Sequence, residues 1–187
     1  MKFSMKKVTV FLADGFEEIE ALTVVDLLRR AKVYVDTVSI TDDYTVRGAH
    51  GIPVQTEDLI TEIDFKESDM IVLPGGMPGT TNLKEDENVR KAVQEAYDDG
   101  RYVAAICAAP TILADMGLLK GKRATCYPDM ESEIEDAYLT GAPVATDENI
   151  ITSQGVGTAI DFALKLIEVL ISEEKAVEIA DSIVYQR

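Results

Sequence analysis

Short apolar segments alternate with amphipathic helical patterns along the whole chain. In the first half the strand-like segments are 8–13, 33–40 and 69–74, and the helical patterns are 18–31 and 88–97. Parallel strands need a crossover connection, usually a helix, so this alternation is typical of a parallel sheet with helices on both faces. The 187 residues show no repeat or linker and are enough for one core. They predict a single α/β sandwich domain over residues 1–187.

The second half continues the alternation. We predict a strand that ends at Cys107, a short helix to residue 116, a strand over 123–127, one or two strands within 142–153, and helices over 158–171 and 173–183. The turn-rich segment 41–55 predicts a short hairpin.

Charge and cysteine content exclude several classes of partner. The 34 acidic and 18 basic residues give a net charge of −16, which repels phosphate backbones, so no nucleic-acid partner is expected. No apolar run approaches the roughly 20 residues of a membrane helix, and the N-terminus lacks a signal-peptide pattern. We therefore expect a cytoplasmic chain that does not bind a membrane. Two cysteines, one histidine and no Cys-x-x-Cys pair predict neither a disulfide framework nor a metal site.

Cys107 is the strongest candidate for chemistry. It ends a strand-like run and is followed at once by small residues and Pro110, which predicts a sharp strand-to-helix elbow of the kind that presents nucleophiles. A helix N-terminus beside the sulfur favours thiolate over thiol. The alternative is an inert core cysteine, since free cysteines are often buried.

Two further features follow strands that would end at the same edge of the sheet. Glu17, Glu18 and Glu20 open the first helix; the first two are predicted to complement the helix dipole. Glu20 lies between apolar neighbours, so its carboxyl could face the crevice and hydrogen-bond the thiol when protonated, or raise its pKa when ionised. Gly75 and Gly76 either form a simple turn or bring backbone N–H groups to a reacting oxygen.

Three other positions carry weaker signals. The segment 152–158 is Gly-rich and could bring backbone close to Cys107, but it lacks the lysine of a phosphate-binding loop. His50 is the only histidine and is predicted to be a surface loop residue, with a catalytic base as the alternative. Cys126, in a strand-like segment before Tyr127, is predicted to be a packing residue.

Four segments together resemble the DJ-1/PfpI (ThiJ) superfamily, in its DJ-1-like branch. They are Ala-Asp-Gly-Phe-Glu-Glu-Ile-Glu at 13–20, Leu-Pro-Gly-Gly at 73–76, Ala-Ala-Ile-Cys-Ala-Ala-Pro at 104–110 and Thr-Ser-Gln-Gly-Val-Gly-Thr at 152–158. The resemblance implies a flavodoxin-like (Rossmann-like) three-layer sandwich and a homodimer.

The resemblance also implies roles for individual residues. It makes Cys107 the reactive, oxidation-prone cysteine and Glu20 the buried carboxyl that hydrogen-bonds its sulfur. It places the backbone amides of Gly75, Gly76 and Ala108 around that sulfur.

The chain departs from the family pattern at three positions. Ala108 stands where the protease-like branch has a histidine next to its nucleophile, which argues against peptidase activity. Tyr127 stands where the DJ-1-like branch often has a histidine. His50 stands where an arginine commonly lies near the dimer interface, so it could supply a base across that interface.

These features support three functions, of which the first is favoured. The first is a cofactor-free glyoxalase III or deglycase that acts on methylglyoxal and its adducts, with Cys107 as nucleophile and Glu20 moving protons. The second is a redox sensor in which peroxide oxidises Cys107 to the sulfinate, with Cys126 as a resolving thiol in one variant. The third, ranked last, is a peptidase or other hydrolase.

Overall fold

The computed structural model describes residues 5–186. Its strands are short and are distributed along these residues. They are β1 (Lys7–Leu12), β2 (Tyr34–Ser39), β3 (Thr45–Arg47), β4 (Pro53–Gln55), β5 (Asp58–Leu59), β6 (Met70–Leu73), β7 (Tyr102–Ile106), β8 (Arg123–Ala124), β9 (Tyr138–Leu139), β10 (Val144–Asp147) and β11 (Ile150–Ser153). The helices are α1 (Glu18–Arg30), α2 (Gly79–Glu85), α3 (Glu87–Asp98), α4 (Pro110–Asp115), α5 (Ala159–Leu170) and α6 (Glu173–Ser182). Short 3₁₀ turns cover Phe65–Glu67, Pro128–Glu133 and Val156–Thr158.

Seven strands form the central sheet in the order β10-β11-β7-β6-β1-β2-β5. All neighbouring pairs are parallel except β10 with β11, which are antiparallel. The predicted mainly parallel sheet is therefore confirmed. The strands β3 and β4 form the hairpin predicted within 41–55, and β8 pairs with β9 outside the main sheet.

Both faces of the sheet are buried, because side chains alternate along each strand. In β1, Val8, Val10 and Leu12 pack towards α1, α5 and α6, in a cluster that also holds Phe162. Phe11, from the same strand, packs on the opposite face in a second cluster with residues of α2, α3 and α4. Two apolar layers on one sheet give the expected three-layer sandwich.

The sequence prediction omits helix α2 and the two-residue strands β5 and β9, and it makes one strand too long. Helix α2 was not predicted, because Leu83 is its only large apolar residue and Gly79 begins it, so the segment has no helical periodicity. The strand predicted over 123–127 ends at Ala124. Beyond it, the Thr125 N–H bonds to the Thr152 hydroxyl at 3.0 Å instead of to a strand backbone.

The sheet order brings the candidate functional segments together. The strands β7, β6 and β1 are neighbours, and Cys107, Gly75 and α1 follow their respective carboxyl ends. This is the edge at which open parallel sheets form ligand sites. Within residues 5–186, no helix is long and apolar enough to cross a bilayer.

Candidate active site

Cys107 lies on the predicted elbow between β7 and α4. Its φ angle of +65° is in the left-handed region, which is strained for a residue with a side chain. Two hydrogen bonds hold this conformation: the Cys107 N–H donates to the Ser153 carbonyl at 3.0 Å, and the Cys107 carbonyl accepts from the Tyr127 N–H at 2.8 Å. Pro110, at the start of α4, needs no N–H partner there. The backbone thus fixes where the thiol can lie.

Glu20, in the first turn of α1, has a fully buried side chain beside this thiol. Its Oε2 accepts a hydrogen bond from the Gly75 N–H at 2.9 Å. Its Oε1 is buried and has no well-formed hydrogen bond among the described residues. A β-carbon placed on Gly155 would lie 3.7 Å from the Cys107 Sγ and 3.8 Å from the Glu20 Oε1. The thiol and the unpaired oxygen therefore face the same small space.

The two groups share one buried environment, so their protons are coupled. Burial raises the pKa of Glu20 to about 7, against the opposing effects of the neighbouring Cys107 thiol and of the Gly75 N–H. Burial and then the charge of Glu20 raise the pKa of the Cys107 thiol to about 12. Hydrogen bonds from the Ala108 and Gly76 amides act in the opposite direction and are outweighed. Burial and the charge of an ionised Glu20 thus favour the thiol, in opposition to the helix N-terminus, which favours the thiolate.

The two glycines after β6 have different roles. Gly75 gives its N–H to Glu20, so this amide serves the carboxyl and not a reacting oxygen. A β-carbon on Gly75 would lie 2.6 Å from both the Cys107 Cβ and the Glu20 Oε2, which explains the absence of a side chain. Gly76 has a φ of +91°, and a β-carbon placed on it would overlap the backbone nitrogen of Glu17. The amides of Gly76 and Ala108 are those that face the sulfur.

An open cleft of about 470 Å³ lies over the thiol. Its walls are Glu17, Glu20, Tyr127, Pro128 and the loop 154–158, together with Gly76 and Cys107. The Thr158 hydroxyl holds this loop, because it accepts from the Gly155 N–H at 3.1 Å and pairs with the Ser153 hydroxyl at 2.7 Å. The loop brings backbone close to Cys107, as the sequence suggested.

Tyr127 and His50, the two auxiliary candidates, lie in different places. Tyr127 is 45% exposed and lines the cleft. His50 lies on the loop after β3 and does not line it. Its Nδ1 is 2.8 Å from the Glu18 Oε2 and 3.5 Å from the Glu17 Oε2. Within one chain, then, the histidine is held by the acidic start of α1 and not by the Cys107 thiol.

Glu18 does more than complement the helix dipole. Its Oε1 accepts from the backbone N–H of His50 at 2.8 Å and of Ile52 at 3.4 Å, so it ties the hairpin loop to α1. Glu17, Glu18 and His50 are the only group within residues 5–186 whose acidic and histidine atoms are close enough to hold a metal ion. The Glu18 oxygens and the His50 Nδ1 already bond to one another, so the group is explained as an internal cluster.

Glu17 lines the cleft, a place beyond the helix-dipole role that the sequence analysis gave it. It caps α1, accepting from the Ile19 N–H at 3.4 Å, and its side chain also faces the cleft. The signal was available, because Glu17 precedes Glu20 by three positions and residues so spaced lie on one side of a helix.

Cys126 is a packing residue, as predicted. It is fully buried in the cluster under α3 and α4, whereas Cys107 contacts the cluster on the α1 face. Its thiol donates to the Tyr127 carbonyl at 3.3 Å.

Comparison with known proteins now decides the family. The profile of the DJ-1/PfpI family matches residues 6–169. The chain belongs to the DJ-1/PfpI family. It is 40% identical over 186 residues to protein DJ-1 homolog B of Arabidopsis thaliana, covering 98% of this chain but only 42% of that protein.

Two other DJ-1 proteins match over nearly their whole length. The glutathione-independent glyoxalase DJ-1 of Schizosaccharomyces pombe is 34% identical over 182 residues, which cover 91% of this chain and 94% of that protein. The solved structure of oxidized Toxoplasma gondii DJ-1 has a TM-score of 0.92 at 36% identity, covering 97% of this chain and all of that one. The DJ-1/PfpI fold expected from the sequence is thereby confirmed.

The first prediction concerns the two glycines that flank the thiol. Gly75→Ala should lower the free energy of unfolding by about 1–3 kcal/mol, because its β-carbon would overlap Cys107 and Glu20. Gly155→Ala should change it by less than about 1 kcal/mol, since its β-carbon would make ordinary contacts. Urea denaturation of both variants measures the difference. Equal losses would contradict the packing described.

The second prediction concerns His50, whose pKa is raised by its hydrogen bond to Glu18 and by the charges of Glu17 and Glu18. As the only histidine, it should give one imidazole titration in the NMR spectrum of the tag-free protein, with a midpoint above 6.5. Any stability it adds is therefore present below pH 6.5 and is lost as the pH rises through that midpoint.

Two variants check the cause of this shift. Glu18→Gln should move the midpoint back towards 6.5, whereas Glu87→Gln, an exposed change on α3, should leave it in place. If the His50 titration midpoint were the same in Glu18→Gln and wild type, the ion pair would be absent in solution.

Proposed function

We propose that this chain is a cofactor-free, cysteine-dependent enzyme of glyoxalase III or deglycase type, which acts on methylglyoxal and its adducts. The observation that carries the proposal is the unpaired Oε1 of Glu20, a buried carboxyl with a pKa near 7, facing the same space as the Cys107 thiol. A carboxyl poised near neutral pH beside a nucleophile is suited to proton transfer. The relative in S. pombe that is named a glutathione-independent glyoxalase supports the same assignment.

The proposed reaction begins with attack of the Cys107 sulfur on the aldehyde carbon of methylglyoxal. The S–C bond forms, the carbonyl π electrons move to oxygen, and the thiol proton passes by way of Glu20 to that oxygen, giving a hemithioacetal and leaving Glu20 ionised. The Gly76 and Ala108 amides hold the oxygen. The ionised Glu20 then takes the proton from the former aldehyde carbon and returns it to the neighbouring carbon, while the hydroxyl proton passes to the ketone oxygen, which leaves a lactoyl thioester. Water cleaves the thioester, so methylglyoxal and one water become lactate.

Action on adducts would use the same first step. The cleft is open above Cys107, so a carbonyl attached to a larger molecule can reach the sulfur. In that case the sulfur bonds to the former aldehyde carbon of the adduct, the bond from that carbon to the amine or thiol breaks, and this group leaves with the thiol proton. The resulting hemithioacetal then follows the same path to lactate.

A redox-sensing role is the second candidate, and one observation favours it. The amides of Gly76 and Ala108 and the carboxyl of Glu20 surround the sulfur, an arrangement that would also hold the oxygens of a sulfinate. Cys126 packs on the other side of the sheet, so we expect oxidation to add oxygen to Cys107 and not to form a disulfide. Peptidase activity ranks last, since His50 bonds to Glu18 and does not line the cleft.

The deciding experiment measures lactate from methylglyoxal in an amine-free buffer. Wild type and the matched control Cys126→Ser should turn over, Cys107→Ser should not, and Glu20→Gln should be slower by about 100-fold or more because it cannot accept the proton. Equal rates in wild type and Cys107→Ser would exclude the proposed mechanism. No turnover by fully reduced protein, with a mass gain of about 32 Da at Cys107 under mild peroxide, would establish the sensor instead.

We also propose that the chain forms the homodimer that the family resemblance implies, through the exposed side of α1. Ile19, Leu22 and Ile52 expose apolar side chains there and line one groove with Ile160. An apolar patch with a charged rim is typical of a protein–protein interface.

The dimer is tested by placing a charge in the patch. Leu22→Glu should convert a dimer to a monomer in light scattering, whereas Val177→Glu, at a more exposed apolar position on α6, should not. A monomeric wild type, or a dimer that tolerates Leu22→Glu, would rule out this interface.

A further inference from the structure

The charged groups around the cleft are all of one sign. Among the described residues, the cleft over Cys107 is lined by two carboxyls, those of Glu17 and Glu20, and by no lysine, arginine or histidine. The remaining lining residues are uncharged: Gly76, Tyr127, Pro128, Gln154, Gly155, Val156, Gly157 and Thr158, with Cys107 itself. A ligand that enters the cleft therefore meets negative charge without a compensating cation in its walls.

Glu17 is the carboxyl that an entering molecule would meet. Its side chain is only 12% exposed, so its field is less screened by water than that of a surface carboxylate. Its nearest basic group is His50, whose Nδ1 is 3.5 Å from the Glu17 Oε2 but closer, at 2.8 Å, to the Glu18 Oε2. The histidine is thus paired mainly with Glu18, and it does not line the cleft.

The two amides that could attract an anion are already assigned to the reacting atoms. The Gly76 and Ala108 N–H groups face the sulfur, where they would hold the carbonyl oxygen during attack. A compound bound to sulfur through its carbonyl carbon must place its other atoms in the rest of the cleft, whose charged wall is Glu17.

We propose that Glu17 selects substrates by charge: neutral and cationic carbonyl compounds reach Cys107, and those with a carboxylate or phosphate beside the carbonyl are rejected. This inference rests on the proposed function for its substrates, because it narrows the dicarbonyl class to uncharged members such as methylglyoxal. The selection itself is a property of the cleft and exists whether or not the carbonyl reaction occurs.

The test uses two alkylating agents of similar size, neutral iodoacetamide and anionic iodoacetate. In each case the Cys107 thiolate forms an S–C bond, iodide leaves with the electrons of the C–I bond, and the thiol proton goes to the buffer. Because both agents need the same thiolate, the ratio of their rates at one pH does not depend on the pKa of the thiol. The reactions are followed by intact mass in a Cys126→Ser background, so that only Cys107 is counted.

The expected ratio of iodoacetamide to iodoacetate rates is about three to ten times that of 2-mercaptoethanol, from the repulsion of one anion by a nearby carboxylate. Glu17→Gln should lower the ratio by about threefold while its amide oxygen can still cap α1. Glu87→Gln removes the same charge from an exposed position on α3 and should leave the ratio unchanged.

Two results would overturn the proposal: a wild-type ratio equal to that of 2-mercaptoethanol, or a high ratio that Glu17→Gln does not reduce. A second measurement uses only the wild type, so it does not depend on whether Glu17→Gln folds. The wild-type ratio should fall as salt is raised from about 0.02 M to about 0.5 M, since screening weakens the repulsion, and a salt-independent ratio would count against a charge effect. Alkylation needs no carbonyl turnover, so failure of this proposal and failure of the glyoxalase assignment give different results.

Discussion

The hydrogen bond from the Gly75 N–H to the buried Glu20 carboxyl is the contact on which the site depends. It joins the first helix to the end of the central strand β6, beneath the elbow that carries Cys107. A buried carboxyl is costly unless it is hydrogen-bonded, and only a residue without a side chain lets the backbone approach it here. The fold thus buries an acid beside Cys107 and leaves one of its oxygens facing the thiol.

That arrangement gives the thiol a chemistry set by where one proton lies. When Glu20 is ionised, its charge and burial keep the proton on sulfur; when Glu20 is protonated, it becomes a donor to the sulfur. This geometry suits a nucleophile that exchanges a proton with its substrate. It also suits a sulfinate, whose oxygens need hydrogen-bond donors. One geometry therefore supports both the enzyme and the redox sensor proposed above.

Around this pair, the three carboxyls at the start of α1 have three different roles. Glu20 contacts the thiol, Glu18 ties down the hairpin loop through His50 and Ile52, and Glu17 faces the cleft. In the sequence they are near neighbours of one residue type. Their side chains point in different directions around the first helical turn and therefore have different partners. One carboxyl stabilises the hairpin loop, one lies beside the thiol, and one lines the cleft.

The sequence by itself determined the layered α/β architecture and the elbow at Cys107, because periodicity and strand-end motifs are local signals. The pairing of Cys107 with Glu20 was implied by the family resemblance and not by any local pattern. The sequence prediction missed α2, because this segment lacks helical periodicity. It made β8 too long, because the Thr125 N–H bonds to the Thr152 hydroxyl and not to a strand backbone. Only the tertiary structure decided that Gly75 serves Glu20, that Glu18 holds His50, and that Glu17 lines the cleft. These depend on contacts between segments distant in the chain, and on a competition between burial and hydrogen bonding that no local pattern contains.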